Sequence, residues 1–145
     1  DLARQVMKQN DNDKIFDILE ASLLKIEKGF DPSLITNIAE LKYLSYLGVK
    51  PILDKCSTCG NTKDIVTVNS DAGGYICKNC YTNEYITDEK TLKLLRMFDF
   101  LDISKIKELN ILDKNKKEIN KFLEDYYTKY TGLYLKSKDF LSQIK

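Results

Sequence analysis

The chain has 145 residues, with 23 Lys and Arg against 22 Asp and Glu, four Cys and no His. A 43 % hydrophobic share beside 31 % charged residues suits one globular domain that can bury a core, and argues against disorder. No apolar run approaches the roughly 20 residues that span a bilayer, no secretory leader is visible, and mechanisms that need imidazole are closed. Apolar residues then recur at helical spacing from Asp1 to Leu47, which predicts two or three packed helices. Ile15, Ile18, Leu19, Leu23 and Ile26 form one stripe with Phe16 at its edge, and Gly29 is a stop. Asp31-Pro32 reads as an N-cap followed by proline at the first helical position, where its missing N–H costs nothing. Ile35, Ile38, Leu41, Tyr43, Leu44 and Leu47 continue the core face to Gly48, a natural C-terminal cap.

After Pro51 the texture changes. Ile65, Val66 and Val68 form a β-branched run, and Asp71-Ala72-Gly73-Gly74 is a turn signal before Tyr75-Ile76. A small two-stranded insert over 55–87 is expected, bracketed by cysteine pairs. Thr87 or Asp88 then caps a helix carrying Leu92, Leu95, Met97 and Phe98, and a shorter helix is expected near Ser104. The last long helix is predicted over Asp113–Tyr130, with Ile119, Phe122, Leu123, Tyr126 and Tyr130 inward. Gly132 ends it, and Phe140, Leu141 and Ile144 are expected to anchor a final turn. The fold class is therefore mainly α: a helical bundle with an inserted four-cysteine ribbon of two short strands.

All four cysteines fall in one window as Cys56-x2-Cys59, seventeen residues, Cys77-x2-Cys80. Each C-x2-C turn can aim two thiolates at one point, and a hairpin brings the two turns together, which is the ligand set of a structural zinc ribbon. Two disulfides would suit a smaller, cysteine-dense secreted chain. A redox pair would need a helix N-terminus after a strand, and iron–sulfur clusters use other spacings. Four thiolates close the coordination shell, so Zn²⁺ held by Cys56, Cys59, Cys77 and Cys80 is expected to be structural. Gly60 is expected at positive φ, with knuckle N–H groups directed at sulfur.

The segments ELKYLSYLGVKPILDKCSTCG, NSDAGGYICKNC and YTGLYLKSKDFL, in this order, resemble the C-terminal domain of the bacterial DNA repair protein family RecO. The likeness runs from about Phe16 to the terminus. It implies a preceding OB-fold domain, which this chain, starting at Asp1, is expected to lack as a fragment of a longer protein. It also implies a recombination mediator that binds single-stranded and duplex DNA, anneals strands, engages RecR and the acidic tail of single-strand-binding protein, and helps RecA load. On that resemblance the chain is expected to be cytoplasmic and nucleoid-associated, with neither a membrane nor a small-molecule partner.

Charge is uneven: residues 1–55 carry eight bases and nine acids, 56–88 two bases and four acids, and 89–145 thirteen bases and nine acids. Basic surface is therefore expected toward the C-terminus. Lys114, Lys117 and Lys121 lie opposite the apolar stripe of the last helix, with Lys116 nearer the core side. Lys129, Lys136 and Lys138 extend the trend, and these six lysines, Lys116 excepted, are the candidate DNA contacts. Only Arg4 and Arg96 are arginines, which disfavours bidentate base readout and a transcription-type ribbon. The nine tyrosines are expected half-buried, Tyr75, Tyr81 and Tyr85 covering the zinc insert. With no nucleophile–base pair, phosphate loop or open metal site, an enzyme is not expected. The competing reading is a protein-interaction module with a structural zinc and no DNA binding of its own.

Overall fold

The computed structural model describes residues 13–132. Helix α1 spans Asp13–Glu27, α2 Pro32–Tyr46, strand β1 Ile65–Asn69, β2 Gly74–Cys77, α3 Glu89–Phe100 and α4 Asp113–Tyr130, with a 3-10 turn at Ile103–Lys105. The expected termini of the last helix match, and the short helix near Ser104 is the 3-10 turn, started by the Asp102 carboxylate accepting from Ser104 N–H at 3.0 Å. Phe140, Leu141 and Ile144 lie outside the described residues.

Helix α2 is the centre. Asp31 caps it by accepting from Ser33 N–H at 3.0 Å, and Pro32 opens its first turn. Leu34, Ile35, Ile38, Leu41 and Leu44 are buried, but so are Asn37, Ala39, Glu40 and Tyr43. A helix covered on nearly every face has neighbours all round: α1 and α4 pack on it, with α3 and the 3-10 turn. Each large apolar side chain fully buried there contributes about 1.5–3 kcal/mol.

Helix α1 differs from its predicted stripe. Ile15 is fully buried and Ile18, Leu19 and Ile26 pack on the core, but Leu23 is 51 % exposed and Phe16 56 %. The face has rotated toward Ser22 and Lys25, both buried. Lys25 Nζ donates to the Ile106 carbonyl at 2.5 Å and lies over the Phe30 ring, tying α1 to the segment after the 3-10 turn. That bond and the packing of the turn set the rotation, which periodicity alone does not encode. In α3 the correction is Met97, which is 42 % exposed, while Leu94 takes the buried place beside Leu92, Leu95 and Phe98.

The strands pair antiparallel, Thr67 opposite Ile76, Val68 opposite Tyr75 and Asn69 opposite Gly74, with Val66 as the extra residue of a bulge. The hairpin belongs to the core: Val68 and Tyr75 are buried in the same cluster as α2 and α4, and so is Leu53. Ile52 bridges Gly74 in parallel, donating its N–H to the Gly73 carbonyl and accepting from Tyr75 N–H, both at 2.9 Å. Three tyrosines of α4 complete the assembly. The Tyr127 hydroxyl donates to the Glu40 carbonyl of α2, Tyr126 to Val49 at 2.6 Å, and Tyr130 to Ser70 in the hairpin turn at 2.7 Å. Among the described residues no helix is long and apolar enough to cross a membrane.

Candidate metal centre

The four sulfurs converge. Cys56 and Cys59 sit in turns before β1, Cys77 ends β2 and Cys80 lies in the turn that follows. Their Sγ atoms all lie within 4.8 Å of one another, with Cys59 and Cys77 at 3.6 Å. A tetrahedron of metal–sulfur bonds near 2.3 Å places its sulfurs ~3.8 Å apart, so the cluster fits a metal ion. The two knuckles close alike: Gly60 N–H reaches the Cys56 carbonyl at 3.0 Å and Tyr81 N–H the Cys77 carbonyl at 3.0 Å. Gly60 has φ +80°, as expected. Its N–H goes to oxygen rather than sulfur, whereas Cys77 N–H approaches Cys56 Sγ, at 3.4 Å.

Electrostatics argue for a cation in the cluster. Burial works to raise the Cys56 thiol, but the N–H groups of Cys59, Cys77 and Thr58 outweigh it and bring the thiol down to about 6. Cys77 is lowered too, Cys80 N–H being the strongest lowering influence against burial. Hydrogen bonding with Cys59, reinforced by burial, pushes Cys80 up to about 12. Backbone donors thus favour thiolates at Cys56 and Cys77, while hydrogen bonding with its neighbours and burial keep the proton on Cys80. A divalent ion removes that conflict, because thiolates are the ligating species.

The segment leaving the knuckles is pinned at two places. The Thr67 hydroxyl donates to the Tyr85 carbonyl at 2.5 Å and accepts from Thr87 N–H at 3.1 Å. Glu118 of α4 accepts from the Tyr85 hydroxyl at 2.8 Å, Asp88 N–H at 3.2 Å and the Thr91 hydroxyl at 2.6 Å. Asp88 therefore begins α3 without its side chain capping the helix, and its carboxylate instead accepts from Asn115 at 2.8 Å. Of the tyrosines expected to cover the insert, Tyr75 is buried and Tyr81 half-buried, but Tyr85 is 72 % exposed.

The candidate lysines of α4 are on its outer face, yet three of the four described already meet carboxylates. Lys114 lies 4.0 Å from Asp88, Lys121 3.0 Å from Asp125 and Lys129 2.5 Å from Asp71, while Lys117 is exposed. Lys116 is on the core side as expected, bound to Asp31 at 2.6 Å. Lys136 and Lys138 lie outside the described residues. Sequence reasoning did not find a cleft of about 590 Å³ between α1, α2 and the end of α3, lined by Ile18, Ala21, Phe100 and Leu101 with Lys42 and Lys50 beside Asp17, Asp99 and Asp102, Lys50 being paired to Asp99 at 3.0 Å. Burial holds the Lys42 ammonium below its usual range, against the opposing pull of Asp99 and Asp102. Only the tertiary structure joins these residues, which come from three separate helical segments.

The sequence model of the family described as Recombination protein O C terminal matches residues 2–139. The chain belongs to the RecO family. It is similar to the DNA repair protein RecO of Bacillus pumilus, 35 % identical over 137 residues, covering 92 % of this chain and 54 % of that protein. Against the RecO of Listeria monocytogenes it is 32 % identical over 136 residues, covering 92 % and 53 %. Against that of Halalkalibacterium halodurans it is 31 % identical over 137 residues, covering 92 % and 54 %. This RecO chain thus spans about half the length of the curated relatives it matches. No solved structure matches it. Family membership agrees with the resemblance read from the cysteine knuckles and their flanking segments.

Proposed function

We propose that this chain is the zinc-stabilised helical part of a recombination mediator. It acts without catalysis, in the bacterial cytoplasm at the nucleoid, by binding single-stranded and duplex DNA and partner proteins. The observation that carries the reading is the family match over residues 2–139. Cys56, Cys59, Cys77 and Cys80 hold one structural Zn²⁺, whose role is to fix the two knuckles; an all-cysteine shell leaves no position for a reacting water. DNA contact is sequence-independent and electrostatic. Exposed lysine–carboxylate pairs such as Lys121–Asp125 are worth only about 0–1 kcal/mol, so phosphates can take Lys114, Lys117, Lys121 and Lys129 from their partners, with Lys136 and Lys138 continuing the basic run. Strand annealing, contact with RecR and help to RecA loading follow from the same family reading.

The acidic, apolar-tipped tail of single-strand-binding protein needs an apolar groove edged by lysines. The cleft at Ile18, Ala21 and Leu101 has the apolar lining for that contact, with Lys42 and Lys50 as its cations, Lys50 exchanging its partner Asp99 for the tail. The carboxylate pairing of Lys114, Lys121 and Lys129 and the net charge of +1 favour a second reading, a protein-interaction module that does not touch DNA. A salt titration of binding to labelled single-stranded DNA separates the two. The mediator reading expects micromolar binding whose logarithm falls linearly with the logarithm of salt, by about 0.7 per phosphate contact. No binding to DNA at low salt, with an acidic tail peptide still bound, would establish the module instead.

A further inference from the structure

The outward face of α3 is not accounted for by the bundle. Thr91, Leu92, Leu94, Leu95 and Phe98 point inward, leaving Lys90, Lys93, Arg96, Met97 and Phe100 together on the opposite side at helical spacing. All five are exposed; Phe100 is 70 % accessible, among the most exposed large apolar side chains of the described residues. A shallow groove of about 540 Å³ is lined by Lys93, Arg96, Met97, Phe100 and Leu101. Three cations thus accompany a flat aromatic ring over about 15 Å of helix. Of the acids on this helix, Glu89 is paired to Lys93 at 3.2 Å in the first turn, where the helix dipole favours an acid, and the half-buried Asp99 is paired to Lys50 at 3.0 Å.

We propose that this face is a contact for single-stranded nucleic acid, with Phe100 as a base-stacking platform and Lys90, Lys93 and Arg96 holding the phosphates. The inference deepens the DNA reading above and rests on it. Charge selects a polyanion, and the exposed ring selects one whose bases are free. In a duplex the base faces are covered by their neighbours, so Phe100 adds nothing there, whereas on a single strand every base offers a face for stacking. Lysine and arginine beside the ring add salt-dependent phosphate contacts without sequence preference. On the α4 face Lys114, Lys121 and Lys129 each sit against a carboxylate, whereas on α3 Lys93 alone of the three cations forms an ion pair among the described residues, with Glu89.

The chain contains no tryptophan, so Phe100→Trp places a single indole reporter on the face. Titrated into the full chain, oligothymidylate is expected to quench the indole emission, whereas a duplex of the same length leaves it unchanged. Phe100→Ala is expected to weaken oligothymidylate binding about tenfold and duplex binding not at all. The double change Lys93→Glu with Arg96→Glu is expected to lower the salt slope by about 1.4 on single strands. Far-UV circular dichroism checks that these exposed substitutions leave the fold intact. Bound oligothymidylate, seen by anisotropy, without quenching or loss in these variants would overturn the α3 site while leaving DNA binding standing. No oligothymidylate binding by the unsubstituted chain would overturn the DNA reading itself. An acidic peptide that loses affinity in Arg96→Glu, a residue outside the cleft of Lys42 and Lys50, would make the face a peptide dock and also overturn the proposal.

Discussion

Gly74 has φ +151°, pairs with Asn69 across the hairpin and bridges Ile52 on its other side. A Cβ there would lie 2.1 Å from the Ile52 carbonyl oxygen and 2.7 Å from its nitrogen. Both neighbours are backbone and cannot rotate away, so the segment entering the knuckles rests directly on β2. Gly74→Ala is expected to cost well over 1 kcal/mol, roughly, read as a lowered urea midpoint, while Gly60→Ala carries only its φ strain because its Cβ meets nothing within 4 Å. Equal midpoints for the two variants would contradict this account. The glycine-glycine turn was legible in the sequence as a turn. That Gly74 also accommodates a third backbone segment was not, because its partner lies 22 positions earlier, at Ile52.

The cysteine hairpin consists of two parts with different supports. β1 and β2 are anchored from the bundle: Val68 and Tyr75 lie in its core, the Tyr75 hydroxyl donates to the Leu92 carbonyl, and Tyr130 and Lys129 hold the turn. No residue of Cys56–Gly60 or Cys77–Tyr81 belongs to the apolar core cluster, so the proposed metal ion would supply much of the order of the knuckles. Chelation or Cys59→Ser is therefore expected to expose residues near 55–64 and 78–84 to protease, while amide protons of Val68 and Tyr75 stay protected and helical dichroism survives. Concerted loss of strand protection and knuckle order would show instead that the hairpin depends on the metal. Burial of Tyr75 against α3 is what divides the strands from the knuckles.

At the level of the complete molecule, α2 lies among α1, α3 and α4, and buried tyrosines carry polar bonds through the core. Burial, reinforced by Glu40, pushes Tyr43 up to about 12; burial likewise raises Tyr75 and Tyr126 to about 12, and Tyr127 is held well above its usual range. Unfolded tyrosines lose their proton near pH ~10, so the folded state binds more protons between about 10 and 12. Stability from these groups is complete below the unfolded value and is lost as pH rises through the folded one. Alkaline titration is expected to show a second, late tyrosinate wave from these buried groups, coincident with loss of helical dichroism. A second wave completed while the helices remain would refute the coupling. Helix positions, the hairpin and the convergence of the four cysteines were legible in the chain because spacing and short-range turn chemistry encode them: Asp31-Pro32, Asp71–Gly74 and two C-x2-C pairs are local statements. Which apolar residues face water, which lysines meet carboxylates, and how Phe100 comes to stand beside Arg96 on an open face were decided by tertiary packing. Those outcomes depend on the rotation of each helix against its neighbours, and partners such as Lys25 with Ile106 or Lys129 with Asp71 are dozens of residues apart, beyond the reach of any local pattern.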